Sequence, residues 1–474
     1  MKMTDSEKGK YMSPEGRKTW EYLTISCCSI FVLCIGCIIG WNSPSAVILM
    51  SPESEIPATA SDVASLMAVL AMGHLMAPPF SILAVDRIGR KNTILISSVP
   101  LLVSWSMVIF AKSVEVLYVA RFLAGLTLGV CICVSPMYLG EVSSSATRGA
   151  AGALLAIMYN LGILVAFVAG PYLSIAAMAS CFLALAVVFV ASFWFMPLSP
   201  YYLVLRGRKE EAEEVLTKLR GKPDVSEELE AIVASLRSDN EKGTDDGGGG
   251  GGGGGFKQIF SLKKNRRAFV IVLLFNVMYS FGGYLVVMTY GQLIFKETGS
   301  PLPDHTANIL VGAMQLVPSI VTTFVVDKLG RKPLILASGF VAGLCNLAIG
   351  SFFYAREYLQ QDVSSYSLVP FIASMVLVFS LNCGINSLQI IIMSEIFATD
   401  VKALSSCLLG MCGGLFACVS AKLYIALAIT WAYGHSLPFI SFFLVMWISV
   451  AIILYLLPET KGKSFAQIQR ELEQ

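Results

Sequence analysis

Apolar residues run along this chain in long blocks separated by short polar stretches; the pattern occurs six times, pauses, and occurs six times more. The blocks fall near 22–48, 63–84, 92–111, 115–138, 150–174 and 176–196, then near 268–292, 306–326, 333–354, 367–394, 403–427 and 436–457. Each is close to the ~20 apolar residues a helix needs to cross the hydrocarbon of a bilayer. A backbone in lipid must satisfy its own polar groups, which favours helices for such blocks. The pattern therefore predicts an all-α membrane protein with twelve transmembrane helices in two six-helix halves.

Positive charge orients it. With both termini in the cytosol, 29 of the 34 Lys and Arg lie on the inner side; Lys112, Lys296 and Arg356 fall in outer loops, and Arg121 and Lys422 within spans. Cytosolic loops carry the excess of Lys and Arg, so both ends are expected inside. The expected organisation is a cytosolic tail at 1–21, one half at 22–196, a cytosolic linker at 197–267, the second half at 268–457 and a cytosolic tail at 458–474. Within the linker, Ala212, Val215, Leu216 and Leu219, and then Leu229, Ile232, Val233 and Leu236, recur at helical spacing around Pro223. They predict two short amphipathic helices. Nine glycines, Gly247 to Gly255, follow as a flexible tether.

Composition agrees with the bilayer reading: 55% of residues are apolar, 14% are charged and the mean hydropathy is +0.71. A soluble domain carries roughly 25% charged residues. The twelve cysteines all lie in apolar stretches, and Cys34-Ile35-Gly36-Cys37 has no second pair to complete a metal site, so they read as packing residues. No basic patch interleaved with aromatics points to nucleic acid. No Walker sequence, GxSxG elbow or HExxH is present, so neither a nucleotide-driven pump nor an enzyme is expected. No metal, cofactor or obligate protein partner is indicated; the expected partners are the lipid bilayer and a small solute.

The halves repeat one another. Asp86-Arg87-Ile88-Gly89-Arg90-Lys91 returns as Asp327-Lys328-Leu329-Gly330-Arg331-Lys332. Glu141 with Arg148 returns as Glu395 with Lys402, and Pro197-Leu198-Ser199-Pro200 as Pro458-Glu459-Thr460-Lys461-Gly462. Two related halves suggest a solute site at their interface near the midplane, exposed alternately to each side as the halves rock.

With these motifs the chain resembles the sugar-porter family of the major facilitator superfamily from about residue 20 to its end. Gly162-Ile163-Leu164-Val165-Ala166-Phe167-Val168-Ala169-Gly170 and Trp41-Asn42-Ser43-Pro44 look like the insect facilitated trehalose transporter branch. The resemblance implies a cytosolic network of Asp86, Arg87, Arg90, Glu141, Arg148, Asp327, Arg331, Glu395, Lys402 and Glu459 that locks the inner side while the outer side is open. One exposed pair contributes only ~0–1 kcal/mol, but a network can bias two states separated by a few kcal/mol.

The lining departs from the family. The QQxSGxNxxxYY pattern of span 7 falls here on Tyr279, Ser280, Gly282, Leu285, Thr289 and Tyr290. The GPxPW of span 10 reads Asn386-Ser387-Leu388-Gln389-Ile390, the Asn-Trp of span 11 reads Gly413-Gly414, and the Gln of span 5 is Ala156. The span 8 amide is kept as Gln315. Candidate solute-binding groups are Tyr159, Asn160, Tyr279, Ser280, Tyr284, Tyr290, Gln315, Asn382, Asn386 and Gln389, because uncharged polar groups inside a span meet other protein or a wet cavity. Losing two Trp while gaining Gly413 and Gly414 predicts a wider cavity. Losing the prolines predicts a stiffer span 10.

Proton-coupled relatives pair an Arg of span 4 with a carboxylate of span 1. Here that Arg is Arg121 and the span 1 position is Cys37, and no Asp or Glu lies deep in any span. Passive transport is therefore expected, of trehalose or glucose, at the plasma membrane. A facilitator of another small polar solute and a non-transporting sugar sensor remain as alternatives.

Overall fold

The computed structural model describes residues 18–144, 146–234, 263–299, 301–318, 321, 330–397, 399–458, 467 and 471, without the side chains of 82, 390, 391, 394, 395, 399–404 and 406. Asp327, Glu459, Leu236 and the nine glycines lie outside the described residues, as do the side chains of Glu395 and Lys402.

Among the described residues, eleven helical segments are long and apolar enough to span a bilayer. The first half holds α1 (Thr19–Gly40), α2 (Asn42–Leu49), α3 (Ala60–Ile88), α4 (Arg90–Ile109), α5 (Val114–Val142), α6 (Arg148–Ala169) and α7 (Ile175–Phe193). Two short helices, α8 (Pro200–Leu205) and α9 (Lys209–Arg220), follow it. The second half holds α10 (Lys263–Phe281), α11 (Tyr284–Glu297), α12 (Asp304–Met314), α13 (Arg331–Glu357), α14 (Val369–Leu381), α15 (Ser387–Ile396), α16 (Thr399–Ile425) and α17 (Ser436–Leu456). The predicted span at 306–326 corresponds to α12, and most of its continuation lies outside the described residues.

Small residues set how closely the helices of the first half approach. A Cβ on Gly36 would collide with the Tyr159 carbonyl and lie 2.9 Å from Gly162 Cα, and one on Gly125 would lie 3.0 Å from Gly73 Cα. Such backbone-to-backbone seams replace the hydrophobic drive that helices lack in lipid. The seams pin α1 to α6 and α3 to α5, so the half packs as one unit.

Several spans are interrupted among the described residues. The first is interrupted at Trp41, between α1 and α2, and the seventh at Gly282 and Gly283. Gly283 has φ +86°, a left-handed conformation open to glycine without strain. The Asn346 side chain of α13 donates to the Gly282 carbonyl at 2.9 Å, satisfying a group the break leaves free. Span 10 is interrupted as well, against the expectation of a stiff helix: Asn382–Asn386 forms a π-helical turn between α14 and α15. Ser387 Oγ donates to the Asn382 carbonyl at 2.6 Å there. A π turn inserts a residue and bends a helix without proline.

The halves meet where α3 packs on α16, α6 on α12 and α2 on α11. One end of the bundle carries residues 86–90 and 141–148, called here the basic end; the opposite end carries the loops at 50–59 and 301–303. At the basic end Leu216 of α9, Val225 and Ile232 form a small core with Leu229 against it, as the helical spacing predicts.

Candidate functional site

Helix periodicity places most of the candidate groups on one seam. Asn276 and Tyr279 are three apart on α10, and Asn382, Asn386 and Gln389 follow one another along span 10 at near-helical spacing. Positions three or four apart share a helix face, and these two faces meet. Gln389 Nε2 donates to Asn276 Oδ1 at 3.0 Å, and Asn276 Nδ2 donates to the Leu409 carbonyl of α16 at 3.1 Å. Asn386 Nδ2 donates to Asn382 Oδ1 at 3.1 Å.

A second cluster joins this strip to the first half. The Tyr279 and Tyr284 rings, on either side of the span 7 break, have centroids 5.3 Å apart. Tyr284 OH donates to Gln315 Oε1 at 2.9 Å, and Asn160 Nδ2 of α6 reaches the Gln315 carbonyl at 3.5 Å. Tyr159 lies near Tyr279 and Tyr284. Tyr159 and Asn160 of the first half thus meet Tyr279, Tyr284 and Gln315 of the second, whereas the bonds of Asn382, Asn386 and Gln389 stay within the second half, with Asn382 beside Tyr284. The chemistry is uncharged and mixed donor–acceptor, with aromatic faces beside amides, which suits a polyhydroxylated solute.

Ser280 and Tyr290 lie apart from it. Ser280 is fully buried, with its carbonyl accepting from Ser420 Oγ of α16. Tyr290 is buried, stacks on Tyr424 with centroids 5.3 Å apart, and donates to the Ala421 carbonyl at 3.4 Å. Both pack the second half internally.

Gly413 and Gly414 do not leave an opening. A Cβ on Gly413 would stand 2.9 Å from Asn276 Oδ1, and one on Gly414 would stand 3.3 Å from the Ala71 carbonyl and from Leu75 Cα. The room gained by losing larger side chains is taken by the Asn276 amide and by close approach of α3.

At the basic end Arg90 Nε donates to Glu141 Oε1 at 2.9 Å, and Ser199 Oγ donates to the other carboxylate oxygen. Asp86, Arg87 and Arg148 are exposed, and the Asp86 and Arg87 carbonyls accept from Arg206. Arg331 is half-buried at the start of α13. Sequence reasoning missed a buried cluster here. Arg220, the last residue of α9, donates to Glu21 Oε2 at 3.1 Å, to Glu228 Oε1 at 2.7 Å and to the Val142 carbonyl at 2.8 Å. Burial works against the Arg220 charge, but Glu228 and Glu21 outweigh it and hold the guanidinium above its ordinary pKa. The signal was present: Arg220 stands four residues after Leu216, on the apolar face of its helix.

Arg121 is fully buried and finds no carboxylate among its hydrogen bonds. Its Nη2 donates to the Ile38 carbonyl at 2.9 Å and to Asn42 Oδ1 at 2.5 Å, and the guanidinium lies 4.7 Å from the Trp41 ring centroid. Cys37 is buried as a free thiol.

Against known proteins, residues 46–472 match the family described as "Sugar (and other) transporter". The chain is 28% identical over 403 residues to the facilitated trehalose transporter Tret1 of Polypedilum vanderplanki, covering 84% of this chain and 76% of that protein. It is 27% identical over 464 residues to the Apis mellifera ligustica protein of the same name, covering 96% and 88%. With that of Drosophila pseudoobscura pseudoobscura it is 29% identical over 458 residues, covering 94% of this chain and 50% of that protein, so it spans about half of some relatives. Among solved structures, the inward-open xylose transporter XylE from E. coli superposes with a TM-score of 0.77 at 18% identity, over 95% of this chain and 99% of that one. XylE bound to 6-bromo-6-deoxy-D-glucose superposes with a TM-score of 0.73 at 18% identity, over 96% and 99%. The fold is that of the major facilitator superfamily.

Proposed function

Because the chain belongs to the sugar (and other) transporter family, we propose that it is a facilitative carrier of a sugar, trehalose or glucose, working by alternating access. The observation that carries this reading is the uncharged cluster where Asn160 of the first half meets Gln315 and Tyr284 of the second, with Tyr279 beside them and the amides of Asn382, Asn386 and Gln389 along span 10. Its amides give and accept hydrogen bonds as neighbouring sugar hydroxyls do, and its rings offer faces to the sugar's C–H surface. The names of the relatives support a sugar as the solute, and the two-half fold supports rocking about a central site.

Transport is passive. A proton-coupled carrier needs a group that titrates inside the path, and an Arg held by a carbonyl, an amide and an aromatic face does not cycle at ordinary pH. We place the protein in the plasma membrane with both termini in the cytosol, which makes the basic end the inner end. Residues 22–196 and 268–457 are then the two moving halves, and 197–267 the cytosolic linker between the tails 1–21 and 458–474. The ion pair of Arg90 with Glu141 lies at the inner end, where a lock formed in the outward-facing state would act. Uptake of labelled trehalose and glucose into oocytes, with surface expression verified, tests the reading. Saturable uptake of either sugar supports it, and uptake of neither overturns it.

A further inference from the structure

The interruption in the first span ties both halves together at the end opposite Arg90. Arg121 bonds the Ile38 carbonyl in the last turn of α1 and the Asn42 amide that opens α2, and lies over Trp41 between them. A full charge buried in this place costs free energy unless its partners are fixed, so the contacts of Arg121 define where α2 begins. The next residue, Ser43, is fully buried and points across the seam. Its Oγ donates to Asn308 Oδ1 of α12 at 3.3 Å and accepts from the Gln292 backbone N–H of α11 at 3.2 Å. Gln292 Nε2 in turn donates to Asp304 Oδ2 at 3.0 Å, joining α11 to the start of α12. A Cβ on Gly291 would lie 2.8 Å from Asn308 Oδ1, so the glycine leaves room for that acceptor.

We propose that Ser43 is an uncharged latch closing this end of the solute path, and that Arg121 is a positioning residue acting on it through Asn42. The latch rests on the transport reading only for the statement that this end is the outer one. A hydroxyl with one donor and two lone pairs serves both partners at once. Both bonds cross between the halves and must break when this end opens. Neutral hydrogen bonds suit that task, since each shifts an equilibrium by only about fivefold.

The test is a distance measurement in lipid nanodiscs without solute. Nitroxide-bearing amino acids replace Lys112 and Lys296, both exposed near this end in opposite halves; cysteine labelling is avoided because the chain has twelve native thiols. Asn308→Ala, which removes one bond, is expected to raise the ratio of long to short distances about fivefold, and Ser43→Ala, which removes both, to raise it further, up to about twenty-fivefold. Ser43→Thr keeps the hydroxyl and the wild-type ratio. The double variant adds nothing beyond Ser43→Ala, because that change already removes the bond to Asn308. Asn42→Ala moves the ratio in the same direction, whereas Asn42→Asp, which keeps an acceptor for Arg121, does not. An unchanged ratio in Ser43→Ala, or full additivity in the double variant, overturns the latch; an unchanged ratio in Asn42→Ala overturns the positioning role. Uptake measured on the same proteins separates the two readings: loss of the sugar assignment leaves the distance result standing.

Discussion

Replacing Arg220 by Ala should destabilise the protein more than any other single change in the linker helix. Its side chain bonds two carboxylates and the Val142 carbonyl, and the side-chain exposures of Arg220 and Glu21 are 7% and 0%. Breaking a buried pair by removing one partner costs about 3–5 kcal/mol, because the other charge stays buried. Two features temper that figure. Glu21 Oε1 still accepts from the Ser144 N–H at 2.7 Å and from the Thr147 hydroxyl, and Glu228, at 41% exposure, can turn to water. The expected cost is therefore about 2–3 kcal/mol. Glu21→Gln, which keeps a polar group in the site, should cost about 1–2 kcal/mol. The double variant Glu21→Gln/Arg220→Met leaves no buried charge and should recover at least about 1 kcal/mol relative to the sum of the singles. Thermal unfolding of purified protein in detergent reads the total. Tryptophan emission reads the linker, because Lys218 Nζ sits 3.7 Å from the Trp20 ring centroid and detachment of α9 removes it. An Arg220→Ala protein within about 0.5 kcal/mol of wild type, or strict additivity across the cycle, would refute the reasoning.

Two further changes probe the seam between the halves. Gly414→Val places branched carbon against the Ala71 carbonyl and Leu75, where a first Cβ already stands at 3.3 Å; overpacking of about 1–3 kcal/mol should slow uptake, with partial recovery in Gly414→Val/Leu75→Ala. Gln315→Leu removes the partner of Tyr284 and an amide of the candidate site, so KM for the transported sugar should rise roughly tenfold with surface expression unchanged.

The fold was largely legible because hydrophobic runs long enough for a bilayer have few other uses, and because motifs such as Asp86 to Lys91 recur in register. Of the candidate residues, Asn160, Gln315 and Tyr284 are joined by hydrogen bonds across the halves; their part in holding a solute is a proposal. What the sequence could not separate is a polar side chain facing the candidate site from one packed inside a half: Ser280 and Tyr290 carry hydroxyls as Tyr279 and Tyr284 do, on the same two helices either side of Gly283, and differ in the helix face they occupy. The consequences of glycine were also misjudged. Gly413 and Gly414 read as lost bulk, yet helix approach and the Asn276 amide take the space. Absence of proline suggested a stiffer span 10, whereas Asn382–Asn386 forms a π-helical turn within it. Asn276, Asn346 and Glu21 were overlooked because each finds its partner on a helix distant in sequence, which periodicity does not reveal; Arg220 stood on the apolar face of its helix and could have been found.

Side-by-side uptake of labelled trehalose and glucose, at acidic and neutral pH in oocytes with the protein verified at the surface, tests the central claim most directly. Saturable uptake of at least one sugar, unchanged by pH, is expected, since the sequence has no Asp or Glu deep in any predicted span. Uptake of neither sugar, or uptake that rises as the medium is acidified, would contradict it.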